Sequence, residues 1–235
     1  RLRHARGQSL PDWIALRFGE VGTFPDGVAF PEDEDQVREI VNLARQGGWT
    51  LIPYGGGSSV LGHVNPLPGS RPVVTVSMAN MNELLDFNRT NLTATCQAGM
   101  TGPRIEASLQ ERGCTLGHFP QSFELSTLGG WVATRSSGQQ SLGYGSIKAM
   151  FKGGLLVTPS GELSLPVVPS SAAGPDLKEV ILGSEGRMGI LTRVAVQVSP
   201  FPERERFHAC MIPDWDRGLE AVRALAQSRM PLSMT

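Results

Sequence analysis

An α+β domain organised around glycine-rich loops is what this sequence predicts, and three observations carry that expectation. Residues 33–47 repeat apolar side chains at helical spacing between a cap and a glycine pair. Two pairs of short strand patterns, 84–88 with 92–98 and 155–158 with 162–165, are each separated by turn residues, as hairpins are. The stretch Pro-Tyr-Gly-Gly-Gly-Ser-Ser-Val-Leu-Gly at 53–62 lies between two strands with no helical pattern after it. That third observation removes two nucleotide-binding folds, because a dinucleotide turn or a phosphate loop opens directly into a helix. Val60 stands where the dinucleotide fingerprint needs a small residue, and no Gly-Lys-Ser/Thr occurs in the chain.

The elements follow in order. A short helix is expected over 12–18, then an extended Gly/Pro-rich connection over 19–31. Asp33 is a good N-cap with Gln36 three residues on, and Val37, Ile40, Val41 and Ala44 form the buried stripe, ended by Gly47 or Gly48. The acidic run 32–35 suits the positive end of that helix better than a metal. Strands are expected at 49–53 and 73–77. In the hairpin strand 92–98, Thr93, Thr95 and Gln97 alternate with Leu92, Ala94, Cys96 and Ala98. Thr101 and Pro103 open a helix reaching Arg112, and 114–117 reads as a short strand.

From 118 to 147 no period is evident, yet Phe119, Phe123, Trp131 and Val132 argue against disorder. Such a segment, rich in glycine and small hydroxylic residues, suits contact with an extended polar ligand. A turn at 158–161 joins two strands, 166–175 reads as a loop, and 176–182 as a short helical piece. A third glycine-rich turn, 183–189, leads into a strand over 190–198. Beyond Pro200 and Pro202, a strand at 207–212 and a helix lined by Trp215, Leu219, Val222 and Ala226 read as the beginning of a second domain cut off at Thr235.

Composition bounds the function classes. A formal net charge of −1 on 235 residues gives no reason to expect a nucleic-acid partner. Three cysteines without ligand spacing suggest neither a disulfide framework nor a metal site, and point to a reducing, cytoplasmic compartment. There is no apolar run long enough to span a bilayer and no signal peptide. Glycine amides placed in succession form a concave nest for anions, phosphate above all. A flexible linker is the bland alternative for that loop.

Four motifs carry a resemblance: Pro-Tyr-Gly-Gly-Gly-Ser-Ser (53–59), Ser-Thr-Leu-Gly-Gly-Trp-Val-Ala-Thr-Arg-Ser-Ser-Gly (126–138), Tyr-Gly-Ser-Ile (144–147) and Gly-Ser-Glu-Gly-Arg-Met-Gly-Ile-Leu-Thr (183–192). In this order they resemble the FAD-binding domain of the vanillyl-alcohol oxidase (PCMH) type. With Gly117-His118-x-Pro120 and Glu124 leading into Trp131 and Arg135, the chain is similar to the alkyldihydroxyacetonephosphate synthase family. The resemblance implies a two-lobed α+β domain, 25–202, divided near 80/81, after an N-terminal segment 1–24 and before a truncated cap domain, 203–235. It implies non-covalent FAD, since no histidine stands at 54–59. Pro53, Tyr54, Gly55, Gly56, Gly57, Ser58 and Ser59 are expected at the pyrophosphate. Gln121, Ser122, Phe123, Glu124, Leu125, Ser126 and Thr127, with Thr134, Arg135, Ser136 and Ser137, are expected along the dinucleotide and flavin. Glu185, Gly186, Arg187, Met188, Gly189 and Ile190 are expected on the adenosine side.

The family exchanges the acyl group of acyl-dihydroxyacetone phosphate for a fatty alcohol, so the implied partner is a lipid substrate. Peripheral membrane association and a homodimer are the corresponding expectations for a full-length protein. No catalytic residue is expected within this chain. A flavin-dependent 2-hydroxy-acid dehydrogenase or oxidase on the same fold, and a binding module without flavin, stand as alternatives. His63 reads as a surface-loop residue rather than a flavin attachment point. His118 reads equally as a flavin neighbour or a turn residue, and Arg135 as a phosphate contact or a surface ion-pair partner. Tyr144 reads as packing, and Cys96 and Cys114 as no nucleophiles.

Overall fold

The computed structural model describes residues 1–168, 171–228 and 230–234, so part of the expected loop 166–175 lies outside the described residues. Helix α1 (Leu10–Arg17) opens with a reciprocal cap between Ser9 and Asp12. Strand β1 (Gly27–Ala29) and helix α2 (Glu34–Gly47) follow. In α2, Asp33 accepts from the Gln36 amide at 2.8 Å, Gly48 takes the left-handed conformation that stops the helix, and Val37, Val41 and Ala44 are buried. Strand β2 (Thr50–Tyr54) leads into the glycine loop and strand β3 (Val73–Ser77). These three strands form a parallel sheet in the order β1-β3-β2. The connection from β2 to β3 holds no helix, which leaves its backbone free to serve a ligand.

A second, antiparallel sheet takes the order β4-β5-β9-β7-β8. Its members are β4 (Leu84–Asn88), β5 (Thr93–Gln97), β7 (Phe151–Thr158), β8 (Gly161–Leu165) and β9 (Ile190–Gln197). Both expected hairpins are present. Strand β9 lies at the centre and is buried along most of its length on both faces, so it shows less alternation than β5. Helix α3 (Gly102–Gln110) precedes β6 (Cys114–Thr115), which pairs with β10 (Ser199–Pro200). Thr101 does not cap α3 with its side chain; its backbone is committed to a bridge with Thr127.

Short helices occupy the segment that lacks sequence periodicity: α4 (Leu128–Thr134), α5 (Ser141–Tyr144) and α6 (Ile147–Met150), with α7 (Lys178–Ile181) later. One hydrophobic core runs from Val37, Val41 and Val76 through Leu128 and Trp131 to Val194 and Val196, so the two sheets share it. Each fully buried aliphatic side chain there contributes about 1.5–3 kcal/mol.

The strand expected at 207–212 does not form. It has no partner strand among the described residues, and Phe207 and Met211 are exposed. Helix α8 (Trp215–Gln227) does form, capped by Asp214, but none of its residues is buried. Among the described residues, no helix is long and apolar enough to cross a membrane.

Residues 1–24, which carry little sequence signal, are tightly bonded. Asp12 is buried and accepts from Ser9, from Asn65 Nδ2 at 2.8 Å and from Arg6 at 3.4 Å. Burial pushes its carboxyl up, but these hydrogen bonds outweigh burial and leave it below the ordinary carboxylate value. A depressed folded value means the stabilisation is complete above about pH 4 and is lost as pH falls through the folded value. Urea unfolding at several pH values should therefore show an acid loss that Asp12→Asn lacks; parallel profiles for the two proteins would refute this.

Candidate functional site

Three glycine-rich arms meet around one cavity of about 430 Å³. The first is the loop after β2. All residues from Gly55 to Val60 line the cavity. Among the described residues, none of their N–H groups donates a hydrogen bond to protein. The carbonyls are occupied: Gly56 O accepts from Gln8 Nε2 at 2.8 Å and Gly57 O from the Gln8 amide at 2.7 Å. The loop thus presents unspent donors, the chemistry of an anion nest.

The second arm is the turn 122–127 with α4. Thr127 caps α4 by accepting from the Gly130 amide, and the Leu128 and Gly129 amides bond the carbonyls of Met100 and Ala98 at 3.0 and 2.8 Å. Gly129 must be glycine, since a Cβ there would sit 2.7 Å from that of Ala98. Trp131 donates from Nε1 to Ser126 Oγ at 2.7 Å, and Ser126 donates to the Ser122 carbonyl at 2.8 Å. The chain fixes one indole and two serines of the lining together.

The third arm, 183–189, docks on the end of α4 through amide bonds from Gly183 to Val132 O and from Glu185 to Ala133 O. Glu185 holds a left-handed backbone conformation, φ 54°. Its Oε2 is buried without a hydrogen-bond partner and lies 3.4 Å from His63 Nε2. His63 Nδ1 lies 3.2 Å from Ser59 Oγ. His63 therefore links the first arm to the third across the cavity rim. The floor is apolar: Met78, Ala98, Trp131, Leu156 and Leu191. Among the described residues, no lysine or arginine lines the cavity.

The cavity gathers Pro53, Tyr54, Gly55, Gly56, Gly57, Ser58 and Ser59, then Ser122, Ser126, Thr127, Thr134 and Ser136, then Glu185, Gly186, Gly189 and Ile190. Gln121, Phe123, Glu124, Leu125, Arg135, Ser137, Arg187 and Met188 do not line it. Phe123 packs on Phe119 and against Gly102 instead. Leu125 supplies only the backbone against which Gly56 rests. Gln121, Glu124, Ser137, Arg187 and Met188 are exposed. Arg135 ends α4 in a left-handed conformation and pairs with Glu179 at 3.1 Å, the ion-pair role rather than a cavity contact.

Residues that sequence reasoning missed include Met78, Ala98, Leu156 and Leu191. They are ordinary core residues whose one free edge faces the cavity, and nothing local marks them.

His118 is fully buried, 4.9 Å from Trp131 in an edge contact, with Nε2 2.7 Å from Ser136 Oγ. Burial drives its pKa down to about 4, so the ring is neutral near pH 7. Tyr144 packs its ring over Gly117, as a packing residue would. Burial pushes the Cys96 thiol up to about 12, which leaves it unreactive.

The family described as FAD binding domain matches residues 25–164. The alkyldihydroxyacetonephosphate synthase of Dictyostelium discoideum is 39% identical over 230 residues, 98% of this chain and 38% of that protein. That of Caenorhabditis elegans is 37% identical over 231 residues, 97% of this chain and 39% of that protein. A solved alkyldihydroxyacetonephosphate synthase structure superposes with a TM-score of 0.90 at 38% identity, covering 96% of this chain and 41% of its own. The chain thus spans about two fifths of the length of these relatives.

Proposed function

Because this chain belongs to the FAD-binding domain family, we propose that it is the cofactor-holding part of an FAD-dependent alkyl transferase of ether-lipid synthesis. The reaction exchanges the acyl group of acyl-dihydroxyacetone phosphate for a fatty alcohol. The acyl group leaves as a fatty acid, and the alcohol forms the ether. The observation that carries this reading is the 37–39% identity to proteins named for that synthesis, sustained over nearly the whole chain. In this assignment residues 25–80 and 81–202 are the two lobes, and 203–235 begins a substrate domain.

The residues present suit FAD. A diphosphate needs donors, and the first arm offers unspent amides without a cation; each amide bond to a charged oxygen is worth about 1.5–3 kcal/mol. Flat ring systems suit the apolar floor. Among the described residues Glu185 Oε2 makes no hydrogen bond, its ion-pairing neighbour being His63 Nε2 at 3.4 Å, and so keeps acceptor capacity for a hydroxyl, which ribityl or ribose groups carry. Bound FAD supplies the reaction chemistry, and these residues bind it, orient it and keep water from it. With the Cys96 thiol fixed protonated and His118 neutral and buried, no residue of this chain is assigned to catalysis.

The test uses the full-length protein under anaerobic conditions with acyl-dihydroxyacetone phosphate and labelled fatty alcohol. Label should enter an ether product with no net bleaching of flavin. Bleaching by D-lactate or glycolate without ether formation would establish the hydroxy-acid alternative instead. A colourless protein whose melting temperature FAD does not raise would establish the binding module.

A further inference from the structure

We infer that Gln8, which lies upstream of the matched domain, is a positioning residue that aims two amides of the glycine loop at the cofactor diphosphate. The inference rests on the FAD reading above and adds the device that orients the nest.

Gln8 bonds two successive carbonyls, Gly56 O through its side chain and Gly57 O through its own amide. In a planar trans peptide the C=O and the N–H of the same unit point in opposite directions. The Gly56 carbonyl shares its peptide with the Gly57 N–H, and the Gly57 carbonyl shares its peptide with the Ser58 N–H. Gln8 is not part of the cavity wall, whereas Gly56, Gly57 and Ser58 all are. Holding both carbonyls toward Gln8 therefore turns the Gly57 and Ser58 N–H groups to the other side, where the cavity lies. Neither N–H bonds to another described residue. Without Gln8 the same peptides could rotate and present carbonyl oxygens to the phosphates, converting attraction into repulsion.

Gln8 is itself held. The Gly7 amide donates to Asn65 Oδ1 at 2.6 Å, and Asn65 donates to the buried Asp12. A Cβ on Gly7 would stand 2.9 Å from the Gly57 carbonyl, so glycine permits the close approach of the segment to the loop. Ser9 caps α1 immediately after. The N-terminal segment is thus the outer wall of the nest, a part that the domain match beginning at residue 25 does not contain.

Gln8→Met keeps the length and removes the donor; Gln8→Glu sets a carboxylate against the Gly56 carbonyl. In the full-length protein, Gln8→Met should weaken FAD binding by up to about tenfold, the worth of one such bond, and Gln8→Glu by more. The flavin absorbance should keep its shape. The phosphorus NMR signals of the bound diphosphate should shift, which a loss of stability alone would not produce. Wild-type protein that fails to bind FAD would sink the cofactor reading itself. Wild-type binding, with Gln8→Met unchanged in affinity and in phosphorus shifts, would overturn only the role of Gln8. Weaker binding with unmoved phosphorus signals would also overturn it, since Gln8 would then act through stability.

Discussion

Replacing Gly56 with valine should yield a folded protein that purifies without flavin. A Cβ at this position would overlap the Leu125 carbonyl, and its next nearest atoms are also backbone, of Leu125 and Ser126. No rotamer change relieves a clash with backbone, so the first arm must move off the second. Both arms line the cavity, and the displaced arm carries the free amides. Loss of two amide bonds to a diphosphate costs about 3–6 kcal/mol, roughly two to four orders of magnitude in affinity. Gly56→Ala should fail for the same reason, because the clash begins at Cβ. Gly69 provides the control: it has no neighbour within 4 Å, and Gly69→Val should keep its flavin. Full flavin occupancy in Gly56→Val would show that the first arm does not hold the cofactor.

The arms of the site were legible because glycine is a local signal. A triplet after a strand with no helix behind it announces a bare loop, and 53–59 occupies the cavity as a block. Helix α2 was legible for the opposite reason, since its cap, apolar stripe and terminating glycine agree with one another. Helix α4 was not. Gly129 and Gly130 each disfavour a helix by about 1 kcal/mol, and what overrides them is tertiary: amide bonds to the carbonyls of Ala98 and Met100, and room for Gly129 against Ala98. The strand expected at 207–212 fails in the reverse direction, because a short apolar stretch becomes a strand only where another strand stands beside it, and none does among the described residues.

The residues of 121–127 and 183–189 that were expected at the site but lie outside the cavity share one cause. Motif order locates a turn but not which side of it faces inward. In 121–127 the turn buries Ser126 and Thr127 and leaves Gln121, Glu124 and Leu125 outside. In 183–189 it turns Glu185 in and leaves Arg187 and Met188 exposed. Gln8 was illegible because its meaning lies 48 residues away, in the loop carbonyl it meets.

Glu106→Ala should lower the unfolding free energy by about 2–4 kcal/mol while leaving flavin affinity nearly unchanged, the reverse of the split expected for Gly56→Val. Glu106 is buried on α3, and its Oε1 accepts from the Leu116 and Gly117 amides, each at 3.1 Å. Its Oε2 accepts from the Thr115 hydroxyl at 2.7 Å. Alanine leaves buried donors without an acceptor, at about 1–3 kcal/mol each. The Gly117 amide keeps a second acceptor in Thr115 Oγ1, which limits the total. The conservative change Glu106→Gln should cost less than alanine, because the amide side chain retains an oxygen for the two backbone donors and sets its NH₂ against a hydroxyl able to accept. Burial raises the Glu106 pKa, and the bonds from Thr115, Gly117 and Leu116 only partly offset this. A raised folded value means the native state binds the proton more tightly, so wild type gains stability relative to Glu106→Gln as pH falls toward the ordinary glutamate value. Urea midpoints of the three proteins at two pH values measure both effects. An unchanged midpoint in Glu106→Ala would mean the turn at 115–117 finds other acceptors. Equal loss of flavin and stability would mean that the turn leading into His118, which touches the cavity-lining residues Ser136 and Trp131, governs the cofactor site as closely as the glycine arms do.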